Sequence, residues 1–130
     1  MRRLRARAAH LAFLAALLGL SMIGFNAHAH GAPKPQHGGV VQVAADLGFE
    51  LVGRGAQAQI FVDDHGKPFN VAQMTGQLTV LQGATRTQAP LSPAGPNMLQ
   101  ANLQLAAGAR AVATINRPNQ PAITVRFVLP

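Results

Sequence analysis

From Val40 to Leu129, apolar and polar residues alternate in short runs, and turn-forming residues interrupt them about every eight to twelve positions. A period of two belongs to a strand, whose successive side chains point to opposite sides, and no stretch here carries the longer period of a helix. The clearest case is 56–63, with Ala56, Ala58, Ile60 and Val62 on one face and Gln57, Gln59 and Phe61 on the other. Residues 99–105 set Leu99, Ala101, Leu103 and Leu105 against Gln100, Asn102 and Gln104, and the last run sets Ile123, Val125, Phe127 and Leu129 against Thr124 and Arg126. Further strands are expected over 40–44 and 49–53, a hairpin turning at 46–48, and over 76–82, 84–91 and 109–115. Residues 69–74 read as an irregular crossover. Asp63-Asp64-His65-Gly66-Lys67-Pro68 is a turn, since Asp and Gly accept the dihedrals of a tight reversal. Residues 92–97 read as a loop because of Pro93, Gly95 and Pro96, and residues 116–121 as a turn. The pattern predicts an all-β domain, a single immunoglobulin-like β-sandwich of about seven or eight strands.

The 130-residue chain begins differently. Arg2, Arg3, Arg5 and Arg7 precede an uncharged apolar run over residues 11–25, and Ala27-His28-Ala29 supplies the small residues a signal peptidase accepts. The run is shorter than the roughly 20 apolar residues of a membrane-spanning helix. Residues 1–29 are therefore expected to be a cleaved signal peptide, with no stable membrane span afterwards, and the destination to be the periplasm. Residues 30–36, with Pro33 and Pro35, are expected to form a flexible His/Pro arm. Residues 37–130 then form the β-sandwich domain.

Cleavage changes the charge. The whole chain carries a formal +7, but residues 30–130 hold seven Lys/Arg against four Asp/Glu, about +3. In sequence those cations stand singly, without a cluster or interleaved aromatics, so nucleic acid is not an expected partner. The chain has no cysteine, so burial alone must hold the exported domain together.

Chemistry-bearing residues are few. Asp63 and Asp64 sit in a turn, and Asp46 and Glu50 in a hairpin, so no two acids are expected to converge on a cleft. Ser92 is the one serine after the leader. No Ser/His/Asp set can be assembled and no thiol is present, so no enzyme is expected. What remains is histidine. Imidazole suits copper and zinc, and His30 and His37 flank the glycine-rich approach to the first strand. Cleavage before His30 would place a free α-amine beside its ring nitrogen, a chelating pair that His37 could complete. The metal ligands expected are thus His30 and His37, and the cofactor a copper or zinc ion. His65 reads as a solvated turn residue, and Met74 and Met98 as packing. Glu50 is expected to face solvent, some ten Å or more from His37 along the strand at about 3.3 Å per residue.

The motifs His37-Gly38-Gly39-Val40-Val41, Phe49-Glu50-Leu51-Val52, Asp63-Asp64-His65-Gly66-Lys67-Pro68 and Gly76-x-Leu78-Thr79-Val80 together resemble small exported proteins associated with heavy-metal efflux. The same H-G-G…E-L pattern looks like the N-terminal domain of periplasmic adaptor subunits in cobalt–zinc–cadmium-type cation pumps. The resemblance implies a sandwich fold and a metal-stress context, with His37 as the position that carries over. It also shows a departure, because such sequences often place a histidine directly before the F-E-L run, where this chain has Gly48.

The function expected is that of a small periplasmic accessory protein of copper/zinc-type metal handling. It would bind metal weakly through its N-terminal histidines or assist an efflux complex, with that complex or its adaptor as partner. The alternative is a metal-free interaction or scaffold module that docks on an envelope complex through a sheet edge or the Phe61 face. A third reading is a copper redox enzyme built on the N-terminal amine.

Overall fold

Alternation becomes strand wherever a partner strand can cover the apolar face, and the structure, a computed structural model describing residues 33–130, contains strands and no helix among those residues. In chain order they are β1 (Val40–Ala44), β2 (Leu47–Arg54), β3 (Gln57–Asp64), β4 (Lys67–Pro68), β5 (Thr75–Gln82), β6 (Thr85–Gly95), β7 (Met98–Ala101), β8 (Arg110–Arg117) and β9 (Gln120–Val128). All pairings are antiparallel, along one path β1-β2-β3-β7-β6-β5-β8-β9, with the two-residue β4 added beside β3. The fold is all-β, as the alternation predicts.

The path has two halves joined through β6. Its residues 85–91 pair with β5, while Ser92, Pro93 and Gly95 pair with β7. The first half is β1, β2, β3 and β7; the second is β5, β8 and β9 with the start of β6. At the far ends of the path β1 lies beside β9, but no ladder joins them, so the sheet is nearly closed. Both halves bury side chains in one core. Phe49, Leu51, Ile60 and Leu99 come from the first half, and Leu78, Ile115, Val125 and Phe127 from the second, all essentially inaccessible.

The expected turn at 116–121 narrows to Pro118-Asn119 between β8 and β9, and three further boundaries differ from those expected. The first hairpin turns at Ala45-Asp46, both with left-handed φ (49° and 62°), so Leu47 and Gly48 are already in β2. Such a two-residue turn matches the twist of the strands it joins, and starting at Leu47 lets Leu47, Phe49 and Leu51 enter the core together. Residues 92–95, expected as loop, continue β6. The register shift between Pro93 and Gly95 marks a bulge, where a strand accommodates proline. β7 ends at Ala101, opposite Ala58, and the Leu103 N–H turns back to the Ala101 carbonyl at 3.0 Å. Leu103 is still buried, so the alternation marked burial beyond the end of the ladder.

The 69–74 crossover is irregular, as expected. It is anchored by Val71, whose N–H donates to the Pro96 carbonyl at 3.1 Å, and by Met74, which packs in the core.

Candidate functional site

β2 is unusual among the strands because both of its faces are covered. All six residues from Leu47 to Val52 are buried, whereas β3 and β9 alternate. The core covers Leu47, Phe49 and Leu51. Covering Glu50 falls to the segment before β1.

That segment reaches Glu50 by a kink. Gly38 has φ +74°, a conformation that residues with a Cβ rarely adopt. Gly39 then passes so close to β2 that a Cβ there would meet the Leu51 carbonyl oxygen at 2.2 Å and the Val52 side chain at 2.7 Å. The two glycines fold residues 36 and 37 back across the outer side of β2. Without the kink, an extended strand would carry His37 away from Glu50.

Glu50 is the only charged side chain that is buried among the described residues, at 5% exposure. Its carboxylate accepts the Gln36 N–H at 2.5 Å, and both of its oxygens accept the His37 N–H, at 2.9 and 2.8 Å. A buried carboxylate without donors would be strongly unfavourable, and here two backbone N–H groups supply them. The expectation that Glu50 faces solvent, far from His37, is therefore corrected. It was drawn from a continuous extended strand, and the Gly38-Gly39 kink removes that premise. Gln36, placed in the flexible arm, is tied to the sheet by the same contact.

The His37 side chain completes the arrangement. Its ring stacks face to face on Phe61, with centroids 3.6 Å apart and planes within 4°. Phe61 is the cross-strand partner of Glu50 on one side and of Met98 on the other, so Val41, Glu50, Phe61 and Met98 form one rung on the outer face. Nδ1 of His37 is buried and lies 3.3 Å from the Glu50 carboxylate, within ion-pair distance but outside hydrogen-bond geometry. The side chain is nonetheless 34% exposed, so its exposure lies on atoms other than Nδ1. The ring is held by its stacking on Phe61, with Nδ1 on the buried side toward Glu50.

Gly48, at the resemblance's point of departure, has a local reason. A Cβ there would meet the Asp63 carboxylate at 2.2 Å, and that carboxylate caps the β3–β4 turn by accepting the Gly66 N–H at 2.8 Å. His65, at the tip of this turn, is exposed and bonded through Nδ1 to Asp64 at 2.5 Å, a contact that raises its pKa above the usual histidine value.

His30 lies outside the described residues, so of the two expected ligands the structure places His37 alone. No group of three or more His, Asp or Glu side chains suited to a metal ion occurs among the described residues. Sequence reasoning missed Glu50. The available signal was a lone carboxylate between Phe49 and Leu51, a position where burial demands donors. Compared with protein-family models, curated proteins and solved structures, the chain gives no match.

Proposed function

We propose that this chain is a small periplasmic accessory protein of copper/zinc-type metal handling or efflux, without enzymatic activity. It binds metal weakly through His37 and His30 or assists an efflux complex that does. The observation that carries the reading is the Glu50–His37–Phe61 arrangement. Stacking on Phe61 with Nδ1 buried toward Glu50 holds the imidazole in one place, and imidazole suits both copper and zinc. Nδ1 faces Glu50, so Nε2 is the donor this geometry offers. One oriented imidazole holds a metal weakly by itself. The second donor comes from the arm, where a cut after Ala29 gives His30 its α-amine and ring as a chelating pair. The likeness of the H-G-G…E-L motifs to metal-efflux adaptor domains points the same way. The face-to-face burial of two sheet halves, with β6 crossing between them, supports the sandwich class, of which an immunoglobulin-like arrangement is the proposed form.

Calorimetric titration with Cu(II) and Zn(II), after intact-mass determination of the N-terminus, tests the reading. His37→Ala combined with His30→Ala should abolish binding, and Glu50→Ala, which removes the acceptor that holds the His37 backbone in place, should weaken it. Unchanged affinity in the double variant would end the proposal. A mature start other than His30 would remove the amine from the site. The alternative, a metal-free docking module, draws support from β1, whose Val43 is 57% exposed. His37 already lies on Phe61, which leaves the exposed Val43 side of β1 as the surface for that reading. Silent metal titrations together with a periplasmic crosslink through β1 would favour it.

A further inference from the structure

We propose that the outer face of the second sheet half, built on Arg86, Arg110 and Arg126, docks this domain on an anionic lipid bilayer. These arginines are far apart in sequence and meet only through strand register. Leu81 of β5 lies opposite Arg86 of β6 and Arg110 of β8, and Arg110 lies opposite Val128 of β9. One rung of the outer face therefore reads Arg86, Leu81, Arg110, Val128. The next reads Gln88, Thr79, Val112, Arg126. With strands about 4.8 Å apart and about 3.4 Å per residue along each, neighbouring arginines on this face stand roughly 8–10 Å from one another.

All three are exposed, and among the described residues none is in an ion pair. The reason is compositional. The four acidic side chains of the chain are Asp46, Glu50, Asp63 and Asp64, so none follows residue 64. Every one of them lies on β2, on β3 or in the turn joining β1 to β2. The second half thus carries no acidic side chain to compensate these arginines. Arg117 is not part of the face, since its guanidinium donates to the Pro121 carbonyl at 3.4 Å.

The chemistry of the face selects its partner. Guanidinium groups match phosphate oxygens with paired donors, so the ligand is a phosphate-bearing surface. Stacking on bases needs aromatic side chains, and neither rung has one. Instead the first rung alternates arginine with exposed aliphatics, Leu81 at 38% and Val128 at 65%. Charge that meets headgroup phosphates beside apolar side chains that enter the headgroup boundary is the pattern of a peripheral membrane contact. This inference is independent of the metal site on the other half.

Co-sedimentation with vesicles of equal parts phosphatidylglycerol and phosphatidylcholine tests it, using the protein as recovered from expressing cells so that every variant shares one N-terminus. Each arginine should contribute about five-fold to partitioning, so R86Q/R110Q/R126Q should bind roughly 100-fold more weakly, and added salt should weaken the parent similarly. K34Q/R54Q/K67Q removes the same charge from elsewhere and should change binding by less than about three-fold. R86K/R110K/R126K keeps the charge and should retain most of the binding. Equal losses in the two glutamine triples, or failure of the parent to sediment, would overturn the proposal. So would displacement of the vesicles by a single-stranded oligonucleotide at matched phosphate, which would assign the face to nucleic acid.

Discussion

The two halves of the sheet share a core and differ on their outer faces. On the first, the segment before β1 folds back, a carboxylate is buried under it, and a histidine is stacked on Phe61. On the second, no segment among the described residues covers the strands, no acidic side chain is present, and arginines stand beside exposed aliphatics. A polar group can leave water only where partners are supplied. The first half supplies them by bending the backbone at Gly38-Gly39. The second has no such device, so its charges stay solvated. One face is suited to a fixed ligand atom and the other to a diffuse charged surface.

The largest expected effect tests whether the halves are separate at all. Phe49→Ala in the first and Phe127→Ala in the second each empty a fully buried position, and each should lower stability by about 3–5 kcal/mol in urea unfolding. The transition should stay single in both variants. Two transitions would mean that the halves fold independently and that the contrast is one between units rather than faces.

Next comes the buried carboxylate. Glu50→Ala leaves the Gln36 and His37 N–H groups without their acceptor, at a cost of about 1–3 kcal/mol. It should also speed proteolytic cleavage near residues 33–38. A loss below about 0.5 kcal/mol, within the range of ordinary surface substitutions, would show that the fold-back is not what makes the first half distinct.

The smallest effect concerns His65. Its hydrogen bond to Asp64 raises its pKa, so its NMR titration midpoint should lie above 6.5, and Asp64→Asn should return it toward that value. Because the folded-state pKa is raised, the favourable contribution is full below about pH 6.5 and fades as pH climbs through the folded value. The group is fully exposed, and pH-dependent stability should hardly register it. A midpoint at or below 6.5 would show that the Asp64 contact does not persist in solution.

Much of the fold was legible because alternation is local. Ile60 and Val62, or Val125 and Phe127, point inward for the same reason that their neighbours point out. Turn chemistry was legible in part. The Asp63-to-Pro68 reversal follows from its residues, but the first hairpin's turn at Ala45-Asp46 follows only in part, since Asp46 suits left-handed φ and Ala45 does not call for it. Core packing of Phe49 and Leu51 fixes that register instead. His37 was legible as a candidate from its motif, and its partner Glu50 was not.

By itself, the sequence determined the strand period, the inward residues, the absence of thiols and the confinement of every acidic side chain to residues 46–64. Tertiary structure alone decided what those residues meet. It brought His37 onto Phe61 and Glu50, and it lined up Arg86, Arg110 and Arg126 on one face. The physical reason is that side-chain alternation is set by each residue's own backbone, whereas a cross-strand neighbour is set by register. Register depends on kinks, turns and packing spread over the whole chain.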